Sequence, residues 1–533
     1  MDSVKKIVSM KLGTLVQIIR FDDNSKTGPE ADHPSALFNT YSKIFVRTRQ
    51  KQRVPANPLY LISSTANSNH IMENLGTDQI EPSKVARLRE LNLDFALDFG
   101  TSPLPEELLT IPRFGVWSFR NDDGTRNHAS PDCFWQVYDG DHVTGLVLER
   151  LTGTGGSGTR IWQGYLKTIR GSYSKNLDQA LSACVSWPAQ TCIRIRNGGV
   201  ESSTADRGVA RARFYRGPSN LQMLVFLVKT LKRRIETVYR LLFRYTSWNV
   251  GIVHAPISAF LTSSFKPTIR WLPQSRKGHI QADPFGRLDG HRVTVLFERL
   301  DYLHRKGMIC AVEVEDDASF GEPKVVMELP VHMSYPFLFE YAGETYCVPE
   351  TNQAREISIY RALEFPTRWI KVGHLLDNVR AIDATVFQHD NRWWLTFTDR
   401  EKGGDANLYL WYAPDLWGPW EAHPLNPVKT DIRSSRPGGT PFEYEGQLYR
   451  PAQDCSKTGG GSIVVNRVER LTPTEFQEEP VAVVAPYPDT PYQNGLHTLS
   501  AAGDYTLIDA KRFRFVPSGL LTNIVKGLRK LKR

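Results

Sequence analysis

The second half of the chain repeats one pattern of apolar and polar positions five times. Short apolar strands open at Ala282-Asp283-Pro284-Phe285, Ser334-Tyr335-Pro336-Phe337, Asp383-Ala384-Thr385-Val386-Phe387, Gly439-Thr440-Pro441-Phe442 and Gly495-Leu496-His497-Thr498-Leu499. The phenylalanines of the first four lie 52, 50 and 55 residues apart, and Leu499 follows 57 residues later. Each of the last four is followed by a tight-turn signal and a second apolar strand; the signals are Tyr341-Ala342-Gly343-Glu344, His389-Asp390-Asn391-Arg392, Tyr444-Glu445-Gly446-Gln447 and Ala502-Gly503-Asp504. A period of roughly 50 residues made of short strands and turns predicts an all-β propeller of five blades over residues 247–516. In such a fold, equivalent strands meet at one axis, so residues far apart in sequence share one pocket.

The first half has a different rhythm. Leu15–Phe21, Pro58–Ile62 and Leu93–Phe99 read as buried strands and Ser83–Leu91 as a helix between two of them, which predicts an α/β domain with a largely parallel sheet over residues 1–205. No Gly-x-Gly-x-x-Gly follows its first strand, so dinucleotide binding has no support there. Two further segments have helical periodicity. In the linker 206–246, Leu224, Leu227, Val228, Leu231, Ile235, Val238, Leu241 and Leu242 follow i, i+3, i+4 spacing, and Ser219 with Gln222 forms a capping box. In residues 517–533, Leu520, Leu521, Ile524, Val525, Leu528 and Leu531 make an apolar stripe opposite lysines and arginines.

The charge sharpens this division. The net charge is +9, yet residues 219–245 carry six cations against Glu236 and residues 518–533 carry five cations and no acid, so these two segments sum to +10 and the rest of the chain to −1. The basic excess therefore belongs to two amphipathic helices and not to the domains. Such helices suit an anionic membrane surface, and the tail 518–533 is expected to make that contact, whereas 219–245 is expected chiefly to connect and pack two domains. Nothing has the aromatic-interleaved pattern of nucleic-acid binding, so no nucleic-acid partner is expected. No run of about 18 apolar residues occurs, the amino terminus lacks a signal-peptide core, and six cysteines lie without paired metal spacing. The expectation is a cytoplasmic chain with reduced thiols, peripheral at the inner membrane face.

Leu93-Asp94-Phe95-Ala96-Leu97-Asp98-Phe99-Gly100, Leu104-Pro105-Glu106-Glu107, Pro112-Arg113-Phe114-Gly115-Val116-Trp117-Ser118-Phe119 and Phe134-Trp135-Gln136-Val137-Tyr138-Asp139-Gly140-Asp141 resemble the core of the formyltransferases. That chemistry uses an Asn, a His and a later Asp to manage the amine proton and polarise the formyl carbonyl. Carried across, the Asn position is Ser118, the His position is Arg120, and the Asp falls in Gly153-Thr154-Gly155-Gly156-Ser157-Gly158, which has no carboxylate. Asn127-His128 sits several residues too late. The resemblance implies a formyltransferase-like fold without its catalyst.

His332-Met333-Ser334-Tyr335-Pro336-Phe337, Val348-Pro349-Glu350-Thr351, Ala381-Ile382-Asp383-Ala384-Thr385, Arg450-Pro451-Ala452-Gln453-Asp454 and Asn494-Gly495-Leu496-His497 resemble the five-bladed propellers of family 43 glycoside hydrolases. They are closer to the amino-terminal region of plant glucosamine inositolphosphorylceramide transferases and related bacterial proteins. In family 43 one Asp is the base, a second Asp tunes a pKa and a Glu is the acid. The resemblance implies Asp283 as base and Asp383 as the second Asp, although Ala384 replaces the usual proline. Glu350 is the candidate acid, but it precedes Asp383 where the family's acid follows. His497 holds the equivalent place in blade five. Tyr335, Arg436, Arg450, Asp454, Lys511 and Arg512 are candidate substrate contacts, the cations for a phosphate, pyrophosphate or uronate. Asp399, Asp454 and Asp509 close second strands and are expected chiefly to hold turns.

No Asp-x-Asp metal motif of glycosyltransferases occurs in the propeller, so no metal or other cofactor is expected. Together these features favour metal-independent glycosyl transfer in surface-glycan or glycolipid assembly, acting on a sugar, nucleotide-sugar or glycolipid. The alternatives are an inverting glycosidase with Asp283 as base, and a non-catalytic sugar-binding scaffold.

Overall fold

The computed structural model describes residues 2–13, 18–22, 35–46, 72–76, 82–99, 104–120, 126–128, 131–152, 158–198, 213–215, 217–275, 278–301, 306–314 and 319–516. The tail 518–533, the expected strand Pro58–Ile62 and residues 153–157 lie outside this set. The chain divides into two compact units, Met1–Arg234 and Ile235–Arg533.

The first unit is α/β, but its sheet is mixed where a largely parallel one was expected. Ala96–Asp98 runs parallel to Val116–Arg120, which pairs antiparallel with Val143–Leu151, itself antiparallel to Gly158–Lys167. The expected helix is present as Pro82–Glu90, and the expected first strand as Ile18–Asp22, parallel to Met72–Gly76. Phe38, Phe134, Trp135, Val137, Tyr173, Met223 and Phe226 form an aromatic-rich core.

The long helix Asn220–Phe243 ends this unit and continues into the next. Its capping box is reciprocal: Ser219 N donates to Gln222 Oε1 at 2.8 Å and Gln222 N to Ser219 Oγ at 3.2 Å. The side that packs is not the long apolar stripe. Met223, Phe226 and Thr230 are buried, whereas Leu224, Leu227, Val228, Leu231, Ile235 and Val238 are exposed.

The second unit is almost wholly β. Five antiparallel sheets follow one another, here termed blades one to five; four have four strands and that of blade three has five. Blades one to four are meanders opening with His279–Asp289, Ser334–Tyr341, Ala381–His389 and Phe442–Tyr444. Blade five is made from both ends of the unit: Gly495–Ala502 and Tyr505–Phe515 pair on to Arg244–Val253 and Arg270–Trp271. Ten ladder pairs join Tyr505–Phe515 to Arg244–Val253, from Thr506↔Val253 to Phe515↔Arg244, so the first long strand of the unit is clasped by its last.

The turns obey the residue chemistry that announced them. Ala342-Gly343, Asp390-Asn391 and Glu445-Gly446 all have positive φ at both central positions, the two-residue geometry that matches the twist of antiparallel strands. Alternate apolar residues on both faces then fill the layers between sheets. Phe285, Tyr335, Phe337, Val348, Val386 and Leu395 belong to one such layer, Val250, Val295, Phe297, Val312 and Leu507 to another, and Ile463, Val465, Leu496, Leu499 and Ile508 to a third.

One detail of the repeat shifts. The ladders pair Phe285 with Leu296, Phe337 with Val348, Leu499 with Ile508, and Thr385 with Thr396. In blade three it is therefore Thr385, not Phe387, that takes the place of the repeated phenylalanine. A slip of two residues keeps a side chain on the same sheet face, so periodicity alone does not reveal it.

Candidate active site

Each first strand of blades one, two, three and five contains the same irregularity. Its register shifts between Ala282 and Phe285, Ser334 and Phe337, Ile382 and Thr385, and Leu496 and Leu499. The first residue inside each bulge is Asp283, Tyr335, Asp383 or His497. Bulges re-aim side chains at sheet rims, and here they turn four different groups towards one another. Asp283, Tyr335 and Asp383 also have φ values of 53°, 44° and 52°. Left-handed backbone at a non-glycine residue costs about 1–2 kcal/mol, and Asp bears it better than most residues. Three such residues at equivalent positions mark a strained centre held by the surrounding sheets.

Two linked groups occupy this centre. In the first, His497 sits between two carboxylates: Nδ1 lies 2.6 Å from Asp509 Oδ2 and Nε2 lies 3.4 Å from Asp283 Oδ1. Trp248 stacks on the imidazole with ring centroids 3.9 Å apart. Asp509 also accepts from the backbone N–H groups of Asp283, His497 and Thr498. In the second, Asp383 Oδ2 accepts from Arg436 Nε and Gln453 Nε2, both at 2.6 Å, and Arg436 Nη1 reaches Asp405 at 3.0 Å. Glu350 accepts from the backbone N–H of Asp383 at 3.3 Å and from the Asn352 amide. Tyr335 N–H donates to Asp283 Oδ2 at 3.2 Å, joining the first group to blade two.

Electrostatics set the protonation of these groups. Burial raises Asp283 to about 6 against the pull of His497, with Asp383 and Asp509 adding repulsion. Burial likewise raises Asp383 to about 6 despite Arg436. Glu350 is raised, chiefly by burial. Burial alone would lower His497, but Asp509 and Asp283 outweigh it and hold the imidazolium above its ordinary value.

The sign of the pH dependence follows. Between about pH 4 and about 6 the folded protein keeps protons on Asp283 and Asp383 that the unfolded chain has released, so their contribution to stability falls as pH rises through that window. The His497 contribution is complete below the unfolded imidazole pKa and is lost as pH rises through its higher folded value. Asp283→Asn should therefore gain unfolding free energy relative to wild type as pH is raised from about 4 to 7, by about 3 kcal/mol; denaturant unfolding across that range checks it.

The other expected contacts are placed differently. Arg450 is buried and fully engaged: Nε and Nη2 grip Glu478 at 2.8 and 2.5 Å, and Nη1 and Nη2 donate to the carbonyls of Ser435 and Ser434. In this structure it ties blade four internally. The Tyr335 ring is wholly buried; its hydroxyl accepts from Gly439 N at 2.9 Å and meets Thr385 Oγ1 at 3.0 Å, strapping blade two to blades three and four. Asp454 caps a turn at Ser456 N, 2.8 Å away, as Asp399 does at Glu401 N. Lys511 is buried behind the site, with Nζ on the Gly459 carbonyl and over the Trp248 ring, and Arg512 lies over Tyr492.

Asp509 corrects the opposite expectation. It lies inside the strand Tyr505–Phe515, not at a turn, and holds His497 in place. Glu298 is a further buried acid of this centre. It pairs with Ala282 in blade one as Glu350 pairs with Ser334 in blade two, and burial with its carboxylate neighbours keeps it protonated well above the usual range. The signal was present: an ionisable residue within an otherwise apolar second strand in Leu296-Phe297-Glu298 and Leu507-Ile508-Asp509.

Asp283, His497 and Asp509 offer three ligand atoms within 4.8 Å of one another, the one such group among the described residues. Because Nδ1 is already held by Asp509, a cation there would take His497 Nε2 and Asp283 as direct ligands, with Asp509 orienting the ring.

Part of the chain is similar to known proteins. Residues 273–494, under half of the 533, match the family model described as glucosamine inositolphosphorylceramide transferase 1, N-terminal. Glucosamine inositolphosphorylceramide transferase 1 of Oryza sativa subsp. japonica is 36% identical over 206 residues, 38% of this chain and 28% of that protein. The Arabidopsis thaliana protein of the same name is 34% identical over 203 residues, 37% of this chain and 26% of that one. The chain thus matches only about a quarter of the length of these relatives. Among solved structures, Zg3597, a family 117 glycoside hydrolase of Zobellia galactanivorans, aligns over 51% of this chain and 90% of its own at 15% identity and a TM-score of 0.33.

Proposed function

We propose that the second unit is a five-bladed propeller whose axial cluster binds a saccharide and transfers a glycosyl group from a phosphate-linked donor to an acceptor hydroxyl, the acceptor class being a glycolipid or surface glycan. The observation that carries this reading is the meeting of Asp283, Asp383, His497 and Arg436, from four separate blades, at equivalent bulged positions and in the segment just before Gly439. The match to glucosamine inositolphosphorylceramide transferases over residues 273–494 supports it.

In this reading Asp283 takes the proton of the acceptor hydroxyl as its oxygen bonds to the anomeric carbon and the bond from that carbon to the donor phosphate breaks. His497, charged between Asp283 and Asp509, and Arg436, partly exposed, stabilise the negative charge left on the phosphate. Asp383 holds Arg436 through a hydrogen-bonded ion pair and faces the sugar. No step uses a metal. A glycosidase of the family 43 type would place its acid after the second Asp, whereas Glu350 precedes it and accepts from Asn352 and the Asp383 N–H; that reading keeps Asp283 and Asp383 but departs from the family in its acid.

The amino-terminal unit is read as a formyltransferase-like scaffold without formyl transfer. At the two catalytic positions Ser118 Oγ donates to Asp98 at 3.1 Å and Arg120 pairs with Glu149, so both stand in the sheet's own polar contacts.

Nucleotide-sugars at millimolar concentration should raise the melting temperature of the wild-type protein, and Arg436→Ala should remove that shift, because the donor phosphates lose their guanidinium. Free sugar released from glycan fragments, abolished in Asp283→Asn, would instead establish the glycosidase. No shift with either ligand class would sink both enzymatic readings.

A further inference from the structure

The helix Asn220–Phe243 presents an apolar face that no described residue covers. Leu221, Leu224, Val228, Leu231, Ile235 and Val238 recur at alternating steps of three and four, and their exposures run from 53% to 71%. Such a stripe on one face of a single helix is far from ordinary surface composition. The opposite face is the one in use: Met223, Phe226 and Thr230 are buried, Phe226 packs against Phe134 at 4.9 Å between centroids, and Arg233 binds the carbonyls of Val137 and Tyr138.

We propose that this outward face docks on an anionic lipid surface. At about 100° per residue, Lys232 falls to one side of the stripe's centre, where a long cationic side chain reaches back to headgroups from a half-sunk helix; Arg234 flanks the other side, but its Nε donates to the Gly171 carbonyl at 2.8 Å. Residues 219–245 carry six cations and one acid, Glu236. That charge complements phosphatidylserine or phosphatidylglycerol headgroups. It opposes pairing with a second copy, which would set two helices of net charge +4 side by side. No helix among the described residues is long and apolar enough to cross a membrane, so the mode is lying on the surface. This inference is independent of the axial site; it concerns where the chain resides, not what it transfers.

Vesicle flotation of the full chain tests it. Binding to phosphatidylcholine vesicles containing phosphatidylserine should exceed binding to phosphatidylcholine alone by about tenfold and weaken as salt rises. Leu224→Glu/Val228→Glu/Leu231→Glu should abolish it, with the far-ultraviolet circular dichroism unchanged. Should that variant fail to fold, Lys232→Glu, which leaves the apolar stripe intact, should still weaken the preference for anionic vesicles. Removing residues 518–533 should leave helix-dependent binding in place. The proposal is overturned by equal binding to neutral and anionic vesicles, by binding that only the tail deletion removes, or by a concentration-dependent dimer that the triple variant dissolves while the wild type ignores vesicles.

Discussion

Arg450→Ala is expected to lower the unfolding free energy by about 3–5 kcal/mol while leaving the axial chemistry in place. Both partners of its ion pair are buried, with side-chain exposures of 2% for Arg450 and 1% for Glu478. Removing the guanidinium strands the carboxylate and the carbonyls of Ser434 and Ser435 in the interior of blade four. Lys429, 2.7 Å from Glu478, remains and places the loss towards the lower end of that range. The arginine and lysine together hold Glu478 below the usual carboxylate range against its burial. Denaturant unfolding of Arg450→Ala beside Arg450→Met/Glu478→Gln separates charge stranding from lost packing; the double variant should recover most of the loss. A stable Arg450→Ala protein with weakened ligand binding would return this residue to the pocket.

Asp283→Asn is expected to cut turnover by about 10²–10⁴ and not to destabilise the protein near neutral pH. The two halves of that expectation have separate causes. Asparagine tolerates left-handed backbone, so the φ of 53° at this position is kept and only the charge is removed. Because burial raises Asp283 to about 6, its ionised form is the costly one above that pH, and a neutral amide relieves the cost. Loss of activity together with gained or equal stability is the mark of a group held for chemistry. A purely turn-capping aspartate would show the reverse, stability lost and turnover kept. Activity itself should rise with pH as Asp283 ionises near 6 and fall again as His497 loses its proton above its ordinary value.

The parts of this protein legible in its sequence are those set by local chemistry. Ala342-Gly343, Asp390-Asn391 and Glu445-Gly446 announced their hairpins because few residues accept positive φ in pairs. The Ser219–Gln222 capping box was legible for the same reason: four residues of chain contain the whole interaction. Asp283, Asp383 and His497 stood out because each interrupts an apolar strand opening at the repeat period. What could not be read was which cation belongs to which acid. Arg436 and Arg450 lie 14 residues apart in sequence, yet the first meets Asp383 of blade three and the second meets Glu478 of blade four. That choice is made by sheet packing and leaves no local trace. The partner of His497 was hidden in the same way, since Asp509 reaches it only across a ladder whose bulge shifts the register by one residue. In the long helix the periodicity was read well and its meaning less so: a stripe at i, i+3, i+4 says that one face is apolar, not that a neighbour covers it.

The most direct test of the axial site is a crystal structure of the protein soaked with a nucleotide-sugar. The predicted result is a sugar ring against Asp283 and Asp383 with the phosphates on Arg436 and His497. Density for the ligand anywhere other than this cluster, with the four side chains still closed on one another, would contradict the account.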